Sequence, residues 1–170
     1  MSVSARYWRL RATAAAFGSV TYQLSWWEVE FRDTGGTHLL PSLPTASASS
    51  EWSPSWSAQN AFDGSTETRW LTARESELST YQWLAVDAGG AISPVTLAIL
   101  PESSVRVSLP AGLALETGTS LSGPWTVVAE FEPENVSGWQ TFEISGSGIA
   151  RPLIDGWGHS RHIDSRMMIR

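Results

Sequence analysis

Trp27-Glu28-Val29-Glu30-Phe31, followed by Asp33-Thr34-Gly35-Gly36, is the stretch on which the fold turns. Trp27, Val29 and Phe31 alternate with Glu28 and Glu30, the period-two pattern of a strand with one face buried and one face wet. Asp33 to Gly36 carries the residue types of a tight turn. The neighbours Trp26 and Trp27 face opposite sides of such a strand, so one is core and the other is exposed or covered. Working outward, the same alternation recurs at Tyr7-Trp8-Arg9-Leu10-Arg11, with Trp8 and Leu10 on one face and Arg9 and Arg11 on the other. Further strands are expected over Trp83–Asp87, Val95–Leu100, Val105–Leu109, Leu113–Thr117, Trp125–Phe131 and Thr141–Ile144. Between them lie Gly89-Gly90, Pro110-Ala111-Gly112, Ser122-Gly123-Pro124 and Ser137-Gly138. Short strands with turn signals at this spacing predict an all-β antiparallel sandwich rather than a bundle or a parallel sheet. The only helix-like stretch is about one turn around Ala58 to Phe62.

Composition agrees. The chain has 170 residues, 42% hydrophobic and 16% charged, which suits one sizeable core and not a disordered chain. It has no apolar run of the roughly 18 residues that a membrane helix needs. Arg6, Arg9 and Arg11 before an Ala-rich patch imitate a signal peptide, but Thr13, Gly18 and Ser19 interrupt the patch, so no leader is expected. Cysteine is absent, which removes disulfides, thiolate catalysis, cysteine zinc sites and iron–sulfur clusters. The net charge is −6 and the 11 basic residues, all Arg, are scattered, so no nucleic-acid partner is expected. Ten Trp residues point to a binding surface where an apolar face meets a polar edge, although several must be core. Pro41 to Thr80 is the unusual section, rich in Ser, Thr, Pro and Trp; its aromatic residues predict internal order. The expected organisation is a sandwich over residues 1–145 and a C-terminal extension over 146–170 that docks on a partner.

Ala46-Ser47-Ala48-Ser49-Ser50, Asn60-Ala61-Phe62-Asp63-Gly64, Thr68-Arg69-Trp70 and Gln82-Trp83-Leu84-Ala85-Val86-Asp87-Ala88-Gly89 form a combined motif. Leu113-Ala114-Leu115-Glu116 and Gly123-Pro124-Trp125-Thr126-Val127-Val128 extend it. Together they resemble the coagulation-factor type C, or discoidin-like, domains and the related family-32 carbohydrate-binding modules. The resemblance covers roughly residues 5 to 145 and implies a galactose-binding-like jelly-roll β-sandwich. In the family's ordinary order, strands like Arg6–Leu10 and Trp27–Phe31 stand near the C-terminus; here both precede Asp63-Gly64. That order is similar to permuted versions in tail and spike proteins of bacteriophages and phage-like particles. A sandwich tolerates such a permutation when the parent fold's ends lie close together.

The resemblance implies a structural Ca²⁺. Asp63 and the Thr68 hydroxyl would be ligands, with carbonyls of Asn60, Ser65 and Thr68, and Glu28 completing the shell. Few carboxylates with neutral oxygens suit calcium. Ser65 stands where the family often has Asp or Asn, which lowers the expected affinity. On its own, Asp63-Gly64 reads equally as a turn with Asp63 capping nearby amides.

Trp8, Trp70, Trp83 and Trp125 lie in strand-like runs and are expected in the core. Trp52 and Trp56 lie among Ser49, Ser50, Glu51, Ser53, Pro54 and Ser55, where no strand periodicity explains them. Flat indoles stack on the C–H faces of sugar rings, so these two are the candidate saccharide platform. Arg74, Glu75 and Glu77 would supply polar groups, and acidic sugars would suit Arg74. A loop mini-core or a subunit contact explains the two indoles equally well. Asp155, His159, His162 and Asp164 mimic a metal or acid/base cluster, but Gly156 and Gly158 oppose the helix that His-x-x-His needs. A docking tail with Met167, Met168 and Ile169 as apolar contacts is expected instead.

No catalytic signature is present: no Gly-x-Ser-x-Gly elbow, phosphate loop or zinc-protease helix, and no sign that two carboxylates converge. The expected function is non-catalytic adhesion: a fibre or spike component of a phage or phage-like particle, displayed on the virion or particle surface, that recognises bacterial surface polysaccharide. Several copies, and contacts with other particle proteins, would raise the avidity of a shallow site. The alternatives are a virion assembly module that uses the fold for protein–protein contacts and an accessory binding subunit of a polysaccharide-degrading enzyme.

Overall fold

The computed structural model describes residues 3–13, 23–73, 82–102, 109–134, 136–144 and 149–150. Ten strands are present among them: β1 (Ala5–Ala12), β2 (Ser25–Arg32), β3 (Thr45–Ala48), β4 (Trp70–Leu71), β5 (Trp83–Ile92), β6 (Thr96–Pro101), β7 (Leu113–Gly118), β8 (Trp125–Phe131), β9 (Gln140–Glu143) and β10 (Ile149–Ala150). They form a six-stranded sheet in the order β10-β8-β7-β1-β5-β3 and a four-stranded sheet in the order β4-β2-β6-β9. Pairings are antiparallel apart from β10 with β8, which is parallel. This is the expected all-β jelly-roll sandwich. Among the described residues no helix is long and apolar enough to cross a membrane.

The core lies between the sheets. Trp8, Leu10, Leu84, Val86, Leu115 and Phe131 point inward from the large sheet, and Trp26, Val29, Phe31, Leu97, Ile99 and Phe142 from the small one. Trp8 meets Phe31 at a centroid distance of 5.4 Å, and Phe131 meets Phe142 at 4.9 Å, so each contact joins the two sheets. Each such side chain contributes roughly 1.5–3 kcal/mol by leaving water. The two N-terminal strands are central: β1 sits between β7 and β5, and β2 between β4 and β6.

Strand phase departs from the expectation in β2. Trp26 pairs with Pro101 and Glu28 with Leu100, leaving Trp27 as the extra residue of a bulge. A bulge breaks the alternation at one position. Trp26 therefore joins Val29 and Phe31 in the core, edge-on to Trp70 at 5.0 Å. Trp27, expected on the face of Val29 and Phe31, turns outward and is half-buried.

Two more core expectations are corrected. Trp83 follows the alternation of Leu84 and Val86 and so lies on the outer face of β5, half-buried. Its apolar neighbours had hidden that alternation. Trp125 is also half-buried and outward, because a register shift opposite Leu115 and Glu116 changes the phase of β8. Gly118, its cross-strand partner, makes room for the indole: a Cβ there would stand 2.9 Å from Trp125 Cε3.

The section over residues 41–73 is internally organised. It carries β3, 3-10 turns at Pro54–Trp56 and Ala58–Phe62, and β4. Ala58, Ala61 and Phe62 are buried, and the Trp70 indole N–H donates to the Ser50 carbonyl at 3.1 Å. Ile149–Ala150, within the expected extension, pair with Glu130 and Phe131 as an edge strand of the large sheet. The strand expected over Val105–Leu109 lies outside the described residues except for Leu109, which is buried.

Candidate functional site

Two cavities flank the segment from Asp63 to Arg69, and the β2 bulge contributes Trp27 to one and Glu28 to the other. The first is acidic. The 3-10 turn Ala58–Phe62 buries Ala61 and Phe62 and so delivers Asp63 beside β2, where Gly64 at φ 76° reverses the chain. Asp63 Oδ1 accepts the Ser65 N–H at 2.9 Å, and Oδ2 accepts the Thr68 hydroxyl at 2.7 Å. Asn60 Nδ2 donates to the carbonyls of Ser55 (2.9 Å) and Arg69 (3.1 Å), which ties the ends of the loop together. The turn reading of Asp63-Gly64 is thus observed, with the Ser65 N–H and the Thr68 hydroxyl both bound to the Asp63 carboxylate.

Glu28 is the second carboxylate. It is 3% exposed, and its Oε2 is buried with no hydrogen-bond partner. Burial pushes its pKa up to about 7; the Asp63 charge adds to the rise, and the Gly64 N–H opposes it. Glu28 and Asp63 line a cavity of about 270 Å³ with Glu30, His38 and Phe62. Burial lowers the His38 pKa, with the Glu30 charge acting against that shift and Arg32 adding to it. Among the described residues no three His, Cys, Asp or Glu side chains group as a metal cluster. Any cation here would therefore rely on the two carboxylates and neutral oxygens, a donor set that fits a hard ion such as Ca²⁺ better than zinc. The orphaned Glu28 oxygen is the observation in favour of that fit.

The second cavity is aromatic, about 290 Å³, lined by Trp27, Ser55, Trp56, Glu67, Thr68 and Arg69. The Arg69 guanidinium lies over both indoles, 4.7 Å from the centre of Trp27 and 4.3 Å from that of Trp56. Such stacking fixes the rings through cation–π attraction. Arg69 Nη1 donates to Glu102 Oε1 at 2.9 Å, while Arg69 Nε and Glu102 Oε2 are buried without hydrogen-bond partners. The cavity joins flat apolar faces to hydroxyls and a carboxylate, the chemistry that holds a polyhydroxylated ring.

Of the expected saccharide residues, Trp56 lines this cavity and Trp52 does not. Trp52 is 50% exposed, with its backbone N–H donating to the Leu71 carbonyl at 2.8 Å. Arg74, Glu75 and Glu77 lie outside the described residues, as do Asp155, His159, His162 and Asp164. The sequence assigns no site role to Trp27, Arg69 or Glu102. The Trp26–Trp27 doublet is a usable signal, since one indole had to leave the core; Glu102 carries none.

No curated protein and no solved structure matches the chain. The family model of the F5/8 type C domain, a class of non-catalytic modules that bind carbohydrates or proteins, matches residues 45–153. That span, well over half of the chain, runs from β3 through β10 and includes Asp63, Trp56 and Arg69. Together with the two-sheet sandwich, the match shows that this chain belongs to the F5/8 type C domain family.

Proposed function

We propose that this domain binds saccharide rings in the Trp27–Trp56–Arg69 cavity, as an adhesion component of a phage or phage-like particle that contacts bacterial surface polysaccharide. One observation carries the reading: two indoles held by a guanidinium at a cavity bordered by the hydroxyls of Ser55 and Thr68. Trp52 would add a second, exposed contact. The particle setting draws on strand order. β1 and β2 precede the family match yet occupy sheet centres, which supports a permuted arrangement in which terminal strands of the parent fold have moved to the front.

A structural Ca²⁺ belongs to the same proposal. Glu28 and Asp63 would hold it, with neutral oxygens from the Asn60, Ser65 and Thr68 loop. The ion would supply positive charge against two carboxylates that otherwise repel. It would also tie the loop to β2 beside the saccharide cavity.

The test is a bacterial glycan array followed by titration. Saturable binding lost in Trp56→Ala and Trp27→Ala, with circular dichroism unchanged, supports the reading. Silence across the array favours the assembly alternative, for which the exposure of Leu43 (74%) and Trp52 (50%) speaks.

A further inference from the structure

Resting on the saccharide reading, we propose that the cavity selects neutral saccharides over carboxylated ones, and that Glu102 sets this preference by neutralising Arg69. A lone arginine at an aromatic cavity would invite an acidic sugar. Here the guanidinium is already answered: Nη1 sits 2.9 Å from Glu102 Oε1, with both side chains largely shielded, at 20% and 14% exposure. Glu102 is fixed from β6's end, where its N–H donates to the Ser25 carbonyl at 3.1 Å. Among the described residues, the remaining ionisable group of the lining is Glu67, another negative charge.

Among the described residues, the charge around the cavity is therefore one positive group, Arg69, against two negative ones, Glu67 and Glu102. Behind the wall, Asp63 accepts the Thr68 hydroxyl and faces Glu28, which makes the surroundings more negative still. A divalent cation at Glu28 and Asp63 would cancel those two charges and leave the lining unchanged. With or without the ion, a sugar carboxylate meets net repulsion, and it must shed its own water to enter. A neutral ring avoids both costs. It keeps the stacking on Trp27 and Trp56 and can donate hydroxyl protons to Glu67. Arg69 then acts as a positioning residue that orients the two indoles rather than as an anion receptor.

The experiment uses the full chain and matched pairs of hexosides and hexuronosides of the same stereochemistry, differing only at the exocyclic carbon. Affinities are measured by titration at low ionic strength. We expect the wild type to bind hexosides roughly three- to tenfold more tightly than their uronate partners, the scale of a partly exposed charge interaction. Glu102→Gln keeps the shape of the side chain and removes its charge, so the ratio should fall to about one or reverse. A merely structural role for Glu102 would weaken both ligands and leave the ratio alone. If Glu102→Gln does not fold, Glu67→Gln at an exposed position should shift the ratio in the same direction by a smaller factor. Equal or tighter uronate binding by the wild type overturns the selectivity while leaving the saccharide site standing. An unchanged ratio in the variants overturns the role of Glu102. No binding of either sugar class overturns the saccharide reading and the selectivity with it.

Discussion

Glu116 and Glu28 are equally buried, each 3% exposed, on the outer faces of the two sheets, yet their surroundings are opposite. On the six-stranded sheet, Glu116 Oε2 accepts from Arg9 Nε at 2.5 Å and Oε1 from Arg11 Nε at 2.9 Å. The Arg9 guanidinium also lies 4.7 Å from the Trp125 ring centre and 5.9 Å from that of Trp83. On the four-stranded sheet, Glu28 faces Asp63 and keeps an oxygen without a partner, and the nearby Arg69–Glu102 pair leaves a nitrogen and an oxygen unanswered. Both faces stack an arginine on two tryptophans. One stack is closed by its own ion pairs; the other opens on a cavity. Completed polar networks stabilise a fold, whereas incomplete buried ones cost free energy and so mark positions where a ligand or ion can repay it.

The largest effect should come from breaking the closed side. Glu116→Ala strips the shared partner from two arginines, and removing one member of a buried pair costs about 3 kcal/mol. Because Arg11 is 29% exposed and reached by water, the low end of the usual range applies. The urea midpoint should fall without a change in slope, and saccharide affinity should hold.

Next in size is the pH response of the open side. Glu28 titrates near 7 when folded against an ordinary value of 4.5, so between these values the folded chain binds the extra proton. In metal-free buffer, the Glu28 contribution to stability is greatest below about pH 4.5 and is lost as pH rises through about 7. The decline is on the order of 2–3 kcal/mol. Glu28→Gln should flatten that slope. Added Ca²⁺ should flatten it too and raise the midpoint of thermal unfolding above pH 7, with EDTA reversing the gain.

A smaller stability change with a large functional one is expected at the open stack. Trp56→Ala removes a half-buried indole and should cost about 1 kcal/mol in unfolding free energy while abolishing measurable saccharide binding. Trp52→Ala should come last. At 50% exposure its loss should move stability by less than about 0.5 kcal/mol and weaken polysaccharide binding no more than about threefold.

The strands were legible where apolar and polar residues alternate cleanly. Trp8 and Leu10 lie inward as read, and Arg9 and Arg11 outward. Trp83 was not legible, because Leu84, Ala85 and Val86 follow it without a polar residue to set the phase. Trp27 and Trp125 were misread for another reason: each lies at or beyond a register shift, and a shift depends on the partner strand. At the candidate site, Asp63 and Glu28 were singled out from the family pattern, and Trp56 from its place in a Ser- and Pro-rich loop without strand periodicity. Arg69 was visible only as part of Thr68-Arg69-Trp70, and Glu102 lies 33 positions further along the chain.

The sequence by itself determined the sandwich, because period-two alternation and turn residues are local properties that one strand displays alone. It also carried the Asp63-Gly64 loop, whose hydrogen bonds close within a few residues. Only the tertiary structure decided which arginine is neutralised and which carboxylate is left unanswered. Those outcomes depend on the distance between side chains brought together from separate strands, and electrostatic energy in a poorly hydrated site is set by that distance.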